Sequence, residues 1–203
     1  MSPGRRGPAG LLLAAGAGRR LGRGPKALLP HRGRTLVEHV AEAMLLGGCA
    51  DVTVVCGAGA PDVAAALATR AGARCVENPR WPAGMGTSLR SGLEAIGPGV
   101  DVLVMPVDRP GTGAPEIERV IGAHRPGGFT AAAHRDRDGR LQRGHPVLLD
   151  ARWTGEAAAA AHDYVGARDV LTARRDLLRV VDCSDLDDGA DIDEPHDLAR
   201  LRP

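Results

Sequence analysis

The chain has 203 residues, 43% of them hydrophobic, and a formal net charge of +1; this is enough for one domain with its own core, and so balanced a charge calls for neither a nucleic acid nor a membrane surface as partner. Only 2% of the residues are aromatic, which excludes a stacking surface for single-stranded nucleic acid and leaves the core to Leu, Val, Ala and Ile. Cys49, Cys56, Cys75 and Cys183 show no CxxC spacing, so neither structural zinc nor a disulfide framework is indicated, and they are expected as reduced core thiols.

Residues 1–9 read as a flexible start, with a single domain over 10–203. The start is basic and is followed by an apolar run, as in a signal peptide. That run stops at Ala15, short of the ~7–15 residues such a segment needs, so a cytoplasmic protein is expected. Leu11–Ala15 instead suits a buried parallel strand. Thr35 with Glu38 forms a capping box that opens the amphipathic stretch LVEHVAEAMLL, closed by Gly47-Gly48. DVTVVC (51–56) reads as a second strand, Pro61–Ala71 as a helix with proline in its first turn, and ARCVEN as a short strand. TSLRSGLEAI follows as a helix capped by Thr87 or Ser88, then DVLVMPVD (101–108) as a buried strand and APEIERVIGAH as a helix.

Beyond this point the period changes. GFTAAAHRDRDGRLQRGHPVLL predicts two strands about an Asp138-Gly139 turn. Helices over 152–161 and 166–175, a strand in LLRVVDC and a last helix in EPHDLARL complete the chain. Strand–helix alternation with one hairpin implies an α/β fold: a three-layer, doubly wound, mostly parallel sheet with an antiparallel hairpin insertion. Ligands in such sheets sit beyond the carboxyl ends of the strands. The loop 16–26, the segment GMGTS (84–88) and VDRP (107–110) all fall there.

The loop 16–26 holds Gly16, Gly18, Gly22 and Gly24 among Arg19, Arg20, Arg23 and Lys26. Glycine lets backbone amides approach phosphate oxygens, and the basic side chains supply neutralising charge. A dinucleotide fingerprint needs GxGxxG running straight into a helix, but the spacing here is wrong and two prolines interrupt. A Walker loop needs GK[ST], and Lys26 stands between Pro25 and Ala27. Lys26 is also the only lysine among 26 basic residues. An ammonium is a compact point charge on a flexible stem, unlike the planar guanidinium fork; its occurrence here favours a phosphate-directed role over an ordinary solvated side chain.

The run LAAGxxxRLG followed by PK resembles the signature of the molybdopterin cytidylyl- and guanylyltransferases and their relatives. The resemblance extends from Leu11 to Leu201 and implies a Rossmann-like nucleotidyltransferase fold. It implies that Lys26 and Arg20 act on the triphosphate, and that Ala14, Ala15, Gly16, Gly18 and Gly22 form the nucleotide loop. GMGTS resembles the segment that binds base and ribose, which adds Gly84, Thr87 and Ser88; a plain helix cap is the alternative. VDRP resembles the strand-ending Asp-x-Pro that makes Asp108 a Mg2+ ligand, with Arg109 where the family more often has Gln. DIDEP (191–195) resembles a late metal-site segment, and either Asp191 or Asp193 would complete the site. RGHPVLL (143–149) resembles a stretch lining the acceptor pocket, giving His145 as an acceptor contact, and Arg109 of VDRP is expected to join it there. HDYVGAR (162–168) departs from the family's Gly-Asp-x-Gly-Ala-Arg by His162 and by one extra residue. The activity implied is Mg2+-dependent transfer of NMP from an NTP to a phosphorylated acceptor, first of all the molybdopterin cofactor, with transient contact to a molybdoenzyme or chaperone. A sugar-phosphate acceptor and a non-catalytic nucleotide-binding protein are the alternatives. The family's LAAG start goes with cytosine nucleotides and LAGG with guanine nucleotides, so CTP is expected.

Overall fold

The computed structural model describes residues 7–201. Expectations for residues 1–6 lie outside the described residues, and strand β1 (Ala9–Ala14) already begins at Ala9. Every residue of β1 is buried, and it lies parallel between β4 (Asp51–Cys56) and β6 (Val102–Pro106). Its side chains alternate between two cores, as the period of a strand requires. Leu12 and Ala14 pack with α1 (Leu36–Leu46), α2 (Ala60–Leu67) and α4 (Ala114–Ala123). Leu11 and Leu13 pack with α3 (Met85–Ile96), α5 (Ala151–Ala160) and α6 (Arg168–Ala173). This gives the expected three layers.

The main sheet has seven strands in the order β5-β4-β1-β6-β8-β7-β9, where β5 is Ala73–Glu77, β7 Phe129–Arg135, β8 Leu141–Leu149 and β9 Leu178–Asp182. The predicted hairpin β7–β8 forms within this sheet, not beside it. β8 runs antiparallel to both β6 and β7, while β7 pairs parallel with β9. A small second sheet joins β2 (Pro30–His31) to β3 (Arg34–Thr35). Its turn places Arg32 and Gly33 at positive φ, which the sequence reading did not single out.

Three boundaries differ from expectation. α3 starts at Met85 with Gly84 in the cap position, so Thr87 and Ser88 lie inside its first turn instead of capping it. α2 stops at Leu67, four residues short of the expected end. The last helix is a 3-10 segment, Pro195–Arg200, and its start is capped by the Asp197 carboxylate, which accepts the N–H groups of Asp193 and Glu194 (3.0 and 2.9 Å). The expected capping box of α1 is present, Glu38 accepting from the Thr35 N–H and hydroxyl (2.9 and 2.6 Å).

All four cysteines are free thiols. Among the described residues no helix is long and apolar enough to cross a membrane.

Candidate functional site

The chain winds from β1 to β4 and β5 on one side, then crosses back to β6 on the other. A crevice opens where that order reverses, beyond the strand ends. It is a cleft of about 390 Å³ bounded by the β1 loop, the start of α3 and the residues following β6. The loop folds on itself at Gly18, whose φ is +61° and where a Cβ would lie 2.2 Å from the Gly24 carbonyl. The N–H groups of Leu21 and Gly22 close onto the Gly18 carbonyl at 3.0 and 3.2 Å. This turn returns the chain to the cleft, where the short 3-10 segment Lys26–Leu28 presents the lysine.

The Lys26 ammonium donates to Asp108 Oδ2 at 2.8 Å and to Asp193 Oδ1 at 2.6 Å. Burial alone lowers the Lys26 pKa, but the Asp108 and Asp193 carboxylates outweigh it and raise the group above its ordinary value, so it stays a cation. An ammonium has three donors; two are committed here and one remains for an anionic ligand. The late segment is tied in by its backbone, the Ile192 N–H donating to the Asp108 carbonyl at 2.9 Å. Asp191 thereby joins the same acidic group. Half of its side-chain surface stays open to solvent, yet the protein packed around it and the Asp108 charge push its carboxyl up to about 6, against the pull of Arg109. Asp108, Asp193 and Asp191 thus bring three carboxylates to one corner, with the Lys26 cation already between the first two; carboxylate oxygens are the ligands a hard divalent cation takes. Asp108, Asp193 and Asp191 are the residues that would hold it.

The structure brings most of the sequence-predicted nucleotide residues to one cleft: Ala15, Gly16, Gly18, Arg20, Lys26, Gly84, Ser88 and Asp108 line it. Ala14 does not, being 1% exposed and turned into the core. Gly22 is exposed and serves the loop's turn. Thr87 is spent on its own corner, its hydroxyl donating to the Gly84 and Arg80 carbonyls. Asn78, which the sequence reading passed over, donates to both Thr87 Oγ1 and Ser88 Oγ at 2.9 and 3.0 Å. It is 2% exposed, so this one amide sets where both hydroxyls stand.

Arg109, His145 and Asp191 line a neighbouring cleft of about 260 Å³. Arg109 is 2% exposed and turned inward. Its guanidinium donates to the His145 carbonyl, where β8 bulges, and lies 3.4 Å from Asp191 and 4.0 Å from Asp187. It also stands 3.4 Å from His134 Nδ1. The other ring nitrogen, Nε2, lies 3.1 Å from the buried Glu116 carboxylate. The set Glu116, His134 and Asp187 has metal-like spacing, but Arg109 already supplies the cation there. The His145 imidazole is pushed down to about 4, first by burial and then by Arg109; it is enclosed on most sides while part of its surface still reaches the cleft.

The sequence model of the MobA-like NTP transferase domain family matches residues 10–178. A protein of Paenarthrobacter nicotinovorans called nicotine blue oxidoreductase is 45% identical over 194 residues, covering 95% of each chain. Among solved structures, a nucleotidyl transferase from Methanothermobacter thermautotroptrophicus superposes with a TM-score of 0.79 at 23% identity, covering 95% of this chain and 94% of that one. The manganese complex of Rv0371C from Mycobacterium tuberculosis H37Rv superposes with a TM-score of 0.72 at 25% identity, covering 95% and 96%.

Proposed function

The chain belongs to the family of MobA-like NTP transferase domains, and from that premise we propose that it transfers a nucleotidyl group, CMP in preference, from an NTP to a phosphorylated small molecule with release of pyrophosphate. The acceptor we favour is the molybdopterin cofactor, and the setting the cytoplasm, with transient contact to a molybdoenzyme or its chaperone. The observation that carries the reading is Lys26 held between Asp108 and Asp193 opposite a glycine-rich loop. A triphosphate laid in the cleft meets the loop amides, Arg20 and the third donor of Lys26. An oxygen of the acceptor phosphate attacks the α-phosphorus; a new P–O bond forms as the bond to the leaving pyrophosphate breaks in line. Positioning and charge stabilisation carry the rate, since little covalent chemistry is asked of the protein. A bound Mg2+ supplies neutralising charge to the phosphates. The carboxylates of Asp108, Asp191 and Asp193 would be its ligands, and the support from outside this chain is the manganese complex of Rv0371C, a fold relative with a divalent metal. The second cleft, with His145 on its wall, is the proposed acceptor side.

A second reading has its own support. The relative at 45% identity is named an oxidoreductase, and the diphosphate of a nicotinamide dinucleotide would use the same phosphate loop. Two assays separate the readings. Pyrophosphate release is measured with CTP, GTP or ATP, Mg2+ and a panel of acceptors comprising molybdopterin and sugar phosphates. Oxidation of NADH and NADPH is followed by absorbance with nicotine blue and artificial redox dyes as electron acceptors. Nucleotidyl transfer predicts pyrophosphate and no oxidation of the reduced nucleotide; the reverse outcome replaces it with the redox reading.

A further inference from the structure

The chain has one Phe, one Tyr and two Trp, and these four rings divide sharply. Phe129 and Trp153 pair in the core with centroids 5.8 Å apart, and Arg174 covers Trp153 at 4.4 Å. The other two, Trp81 and Tyr164, line the nucleotide cleft. Tyr164 is 81% exposed. Exposure alone would be ordinary; what sets Tyr164 apart is that it lines the same cleft as the other ring outside the core pair, Trp81.

Both rings stand on backbone that is held in place. Trp81 is seated on Gly57, just past the end of β4, where a Cβ would lie 2.5 Å from Trp81 Cγ. Tyr164 sits on a tight turn in which His162 and Val165 exchange backbone hydrogen bonds of 3.0 and 2.7 Å. That turn is docked against the start of α3. The Gly86 N–H donates to the Asp163 carbonyl at 2.7 Å, and a Cβ at Gly84 or Gly86 would fall 2.3 or 2.2 Å from a carbonyl oxygen of the turn. Glycine at both positions lets the two backbones touch. This turn is the segment that departs from the family pattern by one extra residue. The cleft lining therefore combines charged side chains, Arg20 and the paired Lys26 and Asp108, with an apolar set, Trp81, Pro82, Met85 and Tyr164, gathered where the turn docks on the start of α3.

We infer that Trp81 and Tyr164 form an aromatic grip that holds the planar ring of the bound nucleotide at the apolar end of the cleft, making Tyr164 an affinity-determining residue of this chain. The inference rests on the nucleotide reading of the cleft, but not on which reaction the nucleotide undergoes.

The test separates ring from phosphates. In a Trp153→Phe background Trp81 is the one tryptophan, and its fluorescence is followed while CTP, GTP, ATP, NADPH and inorganic tripolyphosphate are titrated separately. At least one nucleotide is expected to quench Trp81, and tripolyphosphate is not. Calorimetry on the otherwise unaltered protein gives the second arm. Tyr164→Ala is expected to weaken the tightest-binding nucleotide about tenfold, since base stacking on one aromatic side chain is typically worth that much or more. Tripolyphosphate binding stays unchanged, and Tyr164→Phe restores the nucleotide affinity. The inference is overturned if no nucleotide quenches Trp81, if Tyr164→Ala leaves the nucleotide affinity unaltered, or if it weakens tripolyphosphate equally, which is the mark of a displaced turn. Nucleotide binding with the grip intact but no pyrophosphate release refutes the transferase reading alone.

Discussion

Replacing Lys26 with alanine removes the cation lying between Asp108 and Asp193. Breaking a buried ion pair by deleting one partner costs about 3–5 kcal/mol. Here the two carboxylate side chains are 22% and 47% exposed, and water screens what remains, which brings the loss of stability to about 1–2 kcal/mol. For a chain of this length that lowers Tm by roughly 2–8 °C, so the variant folds. Catalysis loses more. Deleting one preorganised donor aimed at charge that develops in the transition state typically costs about 10²–10³ in kcat. Lys26→Arg is expected to fare little better. It keeps the charge but offers a flat fork where the site needs two donors turned towards carboxylates and a third towards the ligand. The assay is pyrophosphate release under saturating CTP and Mg2+, with the nucleotide Kd from calorimetry and Tm recorded for each variant. Turnover falls at least about a hundredfold in both variants while Kd changes less than about tenfold. Wild-type turnover in either variant, or a loss of nucleotide affinity as large as the loss of turnover, refutes the reasoning and returns Lys26 to an ordinary binding charge.

Asp108→Asn takes an anionic ligand from the proposed divalent site, so the Mg2+ concentration for half-maximal activity is expected to rise by roughly tenfold or more; an unchanged Mg2+ titration removes Asp108 from that proposal. Ala15 lines the cleft, and on the proposed preference for cytosine its methyl disfavours a purine by about 1–3 kcal/mol; kcat/KM for CTP is then expected to exceed that for GTP with the same acceptor, and equal values count against the steric argument. His145, held neutral down to about pH 4, has an ordinary pKa near 6.5 once unfolded. The unfolded chain binds the extra proton below that value, so stability is level above about pH 6.5 and falls as pH drops towards 4, by up to about 3 kcal/mol from this residue. Urea midpoints between pH 7 and 4.5 should fall less steeply for His145→Gln, and parallel profiles would exclude His145 as the cause.

What was legible in the sequence is what is decided locally. The apolar run of β1, the Thr35–Glu38 capping box and the Asp138-Gly139 turn each carry their own signal within a few residues, and the structure forms all three. The glycine-rich loop was legible for the same reason, because its glycines and its lysine lie within one short segment that the structure brings to the cleft. The start of α3 was not, since Gly84 occupies the cap position where the turn at 162–165 docks, a contact no nearby residue announces. Asn78 lies at the end of β5 with no periodic pattern to mark it; its importance appears only when Thr87 and Ser88 are brought above it. Arg109 shows the limit most clearly. Its place next to Asp108 suggested a ligand contact, but the direction of its side chain depends on the bulge in β8 and on Asp187 and Asp191, all far along the chain.

Lys26 and Asp193 are separated by 167 positions, and this distance gives the site a history. During synthesis at roughly 5–20 residues per second, something on the order of 10 s or more passes between the appearance of the lysine and that of its second carboxylate. Through that interval the glycine loop, and later Asp108, are already made, but the acidic segment that completes them is not. A nascent or prematurely ended chain can therefore offer a phosphate-binding loop without the finished acid–lysine arrangement. Completion waits for the segment around Asp193, so the acid–lysine arrangement exists only once that late segment has been made and folded back onto the loop.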